Sequence, residues 1–86
     1  MGILWDDRAW EDYCSWQNLD RKTLKRINQI ITDIQREPFA GIGKPEPLKE
    51  GLSGWWSRRI DDTNRIVYRQ DGANIIIASC RGHYGR

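Results

Sequence analysis

Glu46 stands between Pro45 and Pro47 in the stretch GKPEPLK, with Lys44 and Lys49 on either side. Each proline restricts its own φ and that of the residue before it, so this carboxylate rides on a stiff segment. A carboxylate held there beside lysines can act as a general base. Further along, NRIVY supplies Arg65, whose planar fork of donors suits the geometry of phosphate. The closing stretch CRGHYGR supplies His83, the single histidine of the chain, next to Tyr84. With an unperturbed pKa of about 6.5, a histidine can transfer protons near neutral pH. A base, cations and an acid of this kind are what RNA cleavage by the strand's own 2′-hydroxyl requires. The base removes the hydroxyl proton, cations stabilise the crowded phosphorane, and the acid protonates the leaving 5′-oxygen. That chemistry needs no metal or other cofactor, and no metal-ligand spacing is visible.

Each residue also has a plainer reading. Spacing alone favours a solvated proline turn for Glu46. A tail histidine is most often simply exposed. Arg65 is either a structural ion-pair partner, of Asp61 or Asp62, or an anion clamp. Arg58 and Arg59 are consecutive, so in a strand they point to opposite faces and at most one joins the site directly. Trp55 shares a face with Arg59, and Trp56 with Arg58. One of these tryptophans belongs to the core; the other is available to stack on a base or sit in a partner interface.

The elements that must gather these residues are readable in outline. GILW reads as a first strand. DDRAWEDYCSWQ reads as a helix capped by Asp6 or Asp7, with Trp10, Tyr13, Cys14 and Gln17 along one face. Asp20 caps a second helix, DRKTLKRINQIITDIQRE, whose apolar stripe is Leu24, Ile27, Ile30, Ile31 and Ile34. Pro38 ends it. Residues 38–54 hold all three prolines and a cluster of glycines, and so form a long loop rather than a regular element. Three β-like runs follow: WWSRRI, then NRIVYRQ after the turn DDTN, then ANIIIASCRGHY after DG, a strong hairpin signal.

The expected architecture is α+β: a small antiparallel sheet with two N-terminal helices packed on one face, in the order β-α-α-β-β-β, as one domain over residues 1–86. GILW joins the sheet at a place the pattern does not reveal. Alternation puts Arg65 and Val67 on one face of their strand and Ile66 and Tyr68 on the other. In the last strand it groups Ile76, Ala78 and Cys80 against Ile75, Ile77, Ser79, Arg81 and His83. The helices should cover the more apolar face, which leaves Arg65 and His83 on the open face of neighbouring strands.

Composition bounds the partners. With 86 residues, 30% charged and 38% hydrophobic, the chain makes one small globular core rather than a disordered segment. A net charge of +2 permits an anionic partner without demanding one, and it predicts weak affinity for free RNA. Cys14 and Cys80 lie in apolar surroundings, which implies two reduced, buried thiols in a cytoplasmic protein. No apolar run approaches the ~18 residues that cross a bilayer, and no leader segment is evident.

The stretch PFAGIGKPEPLKEGLSGWWSRRI, then NRIVY, then CRGHY, closely resembles the Txe/YoeB family of type II toxins, within the RelE-like superfamily. WDDRAWEDYCSWQ and the second helix fit the same family in pattern and spacing, so the resemblance covers nearly the whole chain. It implies a ribosome-dependent mRNA interferase: an endoribonuclease that cuts mRNA in the ribosomal A site, stops translation, and is held inactive by a YefM-like antitoxin. Members often form homodimers. By resemblance Glu46 is the general base, His83 the general acid and Arg65 the phosphate clamp. Lys49 and Arg59 add charge stabilisation, and Tyr84 stacks on or orients the substrate. Family members commonly end at the His-Tyr pair, whereas Gly85 and Arg86 follow it here. The competing reading is a non-catalytic module that binds nucleic acid or protein through exposed tryptophans. A degenerate toxin keeping only the antitoxin interface is a variant of it, and the filled catalytic positions argue against that variant.

Overall fold

The computed structural model describes residues 1–82, in the order β1 (Gly2–Trp5), α1 (Asp7–Leu19), α2 (Arg21–Arg36), β2 (Glu46–Pro47), β3 (Trp56–Arg59), β4 (Arg65–Asp71) and β5 (Asn74–Ser79). One sheet holds all five strands in the order β1-β5-β4-β3-β2. Strands β2 to β5 pair antiparallel, while β1 runs parallel to β5 at the edge. The fold is α+β as expected, but its sheet is mixed. A strand joined to the rest through two helices, and not through a hairpin, is not obliged to run antiparallel.

Helix α2 follows its periodicity. The Asp20 side chain accepts from the N–H groups of Lys22 and Thr23, which satisfies two otherwise orphaned donors at the helix start. Ile27, Ile30 and Ile34 are fully buried, with Leu24 and Ile31 packed at the margin. They share the core with Ile66, Tyr68, Ile75, Ile77 and Cys80 of the sheet side. The helix ends at Arg36, just ahead of Pro38.

Helix α1 is rotated from the expected face. Its buried residues are Ala9 and Trp16, while Trp10 is 51% exposed and Gln17 lies outside. The small Ala9 side chain lets the helix approach the sheet closely. Trp16 turns inward because its indole N–H donates to the Cys80 carbonyl at 2.9 Å. Trp10 packs on Trp5 and Tyr13 at the surface.

Strand β5 departs from simple alternation. Val67 pairs with Ser79 and Tyr68 with Ile77, so Ala78 is an extra residue, a β-bulge. Before the bulge Ile75 and Ile77 face the helices; after it Cys80 does. The expectation that Ile75 and Ile77 lie on the open face is therefore corrected, as is the pairing of Cys80 with Ile76. Ser79 stands opposite Val67, on the face away from the helices. Cys80 is buried, and burial, with the nearby Asp12 carboxylate, pushes its thiol up to about 12. Cys14 is only half-buried, and both thiols are free. Among the described residues no helix is long and apolar enough to cross a membrane.

Candidate active site

The face of the sheet away from the helices is a grid built by strand register. Arg59 of β3 lies opposite Arg65 of β4, and Ser57 opposite Val67. On the far side of β3, Glu46 of β2 lies opposite Ser57. The long loop therefore contains a two-residue strand after all, and its proline-flanked glutamate is the residue that pairs. Proline is tolerated there because β2 is an edge strand. Two strand spacings and two residue steps put the Cα atoms of Glu46 and Arg65 roughly 12 Å apart, a gap their side chains span from one face.

Ser57 links the two. It is fully buried, and its Oγ accepts from Nη1 of Arg65 at 3.2 Å. The guanidinium is thus drawn back along β4 toward the row that carries Glu46. Gly82, just past β5, is held here as well. The Arg65 N–H donates to the Gly82 carbonyl at 3.0 Å, and the Gly82 N–H donates to Asn64 Oδ1 at 2.8 Å. Gly82 is the last described residue; His83 and Tyr84 lie outside the described residues.

The turn before β4 is rigid. Asp61 accepts from the backbone N–H groups of Thr63 and Asn64 and from the Asn64 amide. Burial alone would raise the Asp61 carboxyl, but these donors outweigh it and hold it below the ordinary value. Asp62 takes Arg59 at 3.1 Å, in an ion pair so exposed that it is worth about 1 kcal/mol at most. Like charges directly opposite on neighbouring strands repel, so the Arg59–Arg65 pair is a place where an anion is welcome. Lys49 is exposed just past β2, and the β2 ladder does not carry it onto this face.

Arg58 serves the site from behind. It points to the helix side and is completely buried. Its Nε donates to the Tyr68 hydroxyl at 3.1 Å. Nη1 donates to Asp33 Oδ2 at 2.5 Å and to the Ile42 carbonyl at 3.1 Å, and Nη2 donates to the carbonyls of Glu37 and Ala40 at 2.6 and 3.0 Å. All five donors of the guanidinium are used. The Tyr68 hydroxyl in turn donates to the Pro38 carbonyl at 2.6 Å. Residues 37–42, the approach to Glu46, are thereby fastened to β3 and β4. The Arg58 hydrogen bond, with help from the Ile42 N–H and Arg36, lowers the Asp33 carboxyl from 3.8 to about 2.

The fold thus brings Glu46, Arg59 and Arg65 to one face. Sequence reasoning passed over two supporting residues, Ser57 and Arg58. Alternation within WWSRRI already put Ser57 on the Arg59 face, so that signal was present. Arg58 had none, because three of its five partners are backbone carbonyls of a distant loop.

Comparison with known proteins gives the frame for this geometry. A family model described as the YoeB-like toxin of bacterial type II toxin-antitoxin systems matches residues 5–84. Toxin YoeB of Streptomyces coelicolor is 55% identical over 84 residues, covering 98% of this chain and all of the relative. The YoeB dimer of Staphylococcus aureus superposes with a TM-score of 0.91 at 45% identity, covering 98% of each chain. The heterotetrameric YoeB-YefM toxin-antitoxin complex of the same organism gives a TM-score of 0.89 at 45% identity, again over 98% of each chain.

Proposed function

The chain belongs to the YoeB-like toxins of bacterial type II toxin-antitoxin systems, and from that premise we propose that it is an endoribonuclease that cuts mRNA in the ribosomal A site. The observation that carries this reading is the shared face of Glu46 and Arg65, joined through Ser57. Glu46 takes the proton of the 2′-hydroxyl, which attacks the adjacent phosphorus. Arg65 and Arg59, with Lys49 reaching in from the loop, stabilise the charge that builds on the phosphorane. His83 gives a proton to the departing 5′-oxygen, and Tyr84 orients the substrate. The 3′ side of the cut leaves with a 5′-hydroxyl, and the other end closes as a cyclic phosphate. Nothing in these steps calls on a metal.

A small toxin with two facing arginines needs a partner that covers them. We assign that role to a YefM-like antitoxin whose acidic segment lies over Lys49, Arg59 and Arg65. The Staphylococcus aureus relatives, seen as a dimer and in a complex with YefM, support a homodimeric toxin that binds such an antitoxin. The net charge of +2 supplies little general attraction for RNA, so the ribosome presents the substrate.

The test is to express Glu46→Ala, Arg65→Ala and His83→Ala beside the wild type in growing cells and to map mRNA 5′ ends on translating ribosomes. The expected result is growth arrest with A-site cuts for the wild type and their loss in each variant. Equal toxicity of all three variants would overturn the site. Ribosomes that hold the wild-type protein with intact mRNA would leave a binding module in place of an enzyme.

A further inference from the structure

We propose that Trp55 and Arg69 form a nucleotide subsite, in which a base of the RNA strand stacks on Trp55 while Arg69 contacts a neighbouring phosphate. The inference rests on the ribonuclease reading of Glu46 and Arg65. It extends the open face in the direction opposite to Arg59.

Register places the pair. Trp56 lies opposite Tyr68, so the next step brings Trp55 to Arg69. Residues 65, 67 and 69 alternate onto the face away from the helices, with Arg69 opposite Ile76. Arg65 and Arg69 therefore stand about 13 Å apart along one strand, with Glu46 beside the row between them. The backbone of Trp55 is fixed at both ends: its N–H donates to the Leu52 carbonyl at 3.1 Å, and its carbonyl accepts from the Leu48 N–H at 2.9 Å. The Arg69 guanidinium carbon lies 5.2 Å from the centroid of the Trp55 ring.

Two observations separate this pair from ordinary packing. Trp56, not Trp55, packs against the helix-side core. Trp55 is half-buried on the other face, above no helix. The Arg69 side chain makes no hydrogen bond or ion pair among the described residues, and its Nε is buried without an acceptor. Arg58, by contrast, has every donor engaged. Arg69 is held by stacking while its hydrogen-bonding capacity stays uncommitted. An aromatic plane backed by an uncommitted cation, on a face with Arg59 and Arg65, has the chemistry of single-stranded RNA binding. The competing role for Trp55 is to cover Leu48 and Val67, which are buried outside the helix-side core.

The experiment uses full-length protein carrying Glu46→Gln, labelled with ¹⁵N, and a 2′-O-methyl trinucleotide. A second trinucleotide has its middle base removed. Trp55→Phe identifies the Trp55 indole resonance. The expected result is that this resonance moves on titration with the intact trinucleotide and stays in place with the abasic one. Trp55→Leu raises the Kd about tenfold, and Trp55→Phe, which keeps a smaller ring and most of the packing, falls between. Arg69→Gln lowers the salt slope of binding by about one ion. On ribosomes, with Glu46 intact, Trp55→Phe raises KM and leaves kcat within about twofold. An unmoved indole together with an unchanged KM would overturn the subsite, as would variants that lose stability and kcat while KM holds. The two readings fail separately. Trp55-dependent binding by a protein that cuts no mRNA keeps the subsite and removes the enzyme. Glu46-dependent cutting indifferent to Trp55 and Arg69 does the reverse.

Discussion

Replacing Asp33 by Asn cuts the clamp that holds the approach to Glu46. Asp33 Oδ2 receives Arg58 Nη1 and the Ile42 N–H, and Oδ1 receives Arg36. Arg58 foremost keeps the carboxyl at about 2 against an ordinary 3.8. At about 1.36 kcal/mol per pKa unit this difference is worth about 2.5 kcal/mol. The Asp33 side chain keeps 15% of its exposure, so solvent screening trims the figure to about 2 kcal/mol. The folded value lies below the unfolded one. The stabilisation is therefore complete above the unfolded pKa and is lost as pH falls from about 5 through 3.8 to 2. The amide keeps one acceptor but removes the charge facing a fully buried guanidinium, which raises the expected cost of Asp33→Asn at pH 7 to about 2–3 kcal/mol. The assay is urea unfolding followed by tryptophan fluorescence at pH 7, 5 and 3. The wild-type advantage should be unchanged at pH 5 and about halved at pH 3. A gap under about 0.5 kcal/mol at pH 7, or one that ignores pH, would refute the clamp as the source of the shift.

Other outcomes follow from the same contacts. Tyr68→Phe removes the hydroxyl that donates to Pro38 and accepts from Arg58, and should cost about 1–3 kcal/mol in the same urea assay. Gly41 has φ of +134°, and a Cβ there would meet the Asp33 carboxylate and Arg58 Nη1. Gly41→Ala should therefore cost about 2 kcal/mol or more and open residues 37–45 to limited proteolysis; a stable, protease-resistant variant would count against it. Iodoacetamide at pH 8 should label Cys14 in the native protein and reach Cys80 only after unfolding. Equal rates, read by peptide mass, would show that burial does not protect Cys80.

Most of the scaffold was legible where a residue's neighbours are close in sequence. The α2 stripe and the Asp20 cap needed only the helical period and a capping side chain. The Arg65 face needed only alternation along four residues of β4. Arg59 reached that face because β3 and β4 pair across a short turn, and Glu46 because β2 pairs with β3. What escaped was set at a distance. The inward face of α1 depends on Trp16 finding the Cys80 carbonyl, and that reverses the pull of Trp10, the more obvious aromatic. The parallel seat of β1 depends on where two helices return the chain. The buried role of Arg58 gave no sign, because three of its five acceptors, the carbonyls of residues 37, 40 and 42, carry no side-chain signature. The expectations for His83 and Tyr84 fall on residues outside those described.

The extra residue at Ala78 sets the phase of everything after it. Let it pair regularly with Val67 instead, and not one residue of the sequence changes. Cys80 would nonetheless swing out to solvent and Ser79 would turn inward, setting a hydroxyl among isoleucines. The rung facing Val67 would then carry Ala78 in place of Ser79, and the Cys80 thiol would stand beside Arg65. A chain could keep every chemical group of the site and still lack the site if this bulge were flattened into the ladder, because the register of β5 is itself part of the design.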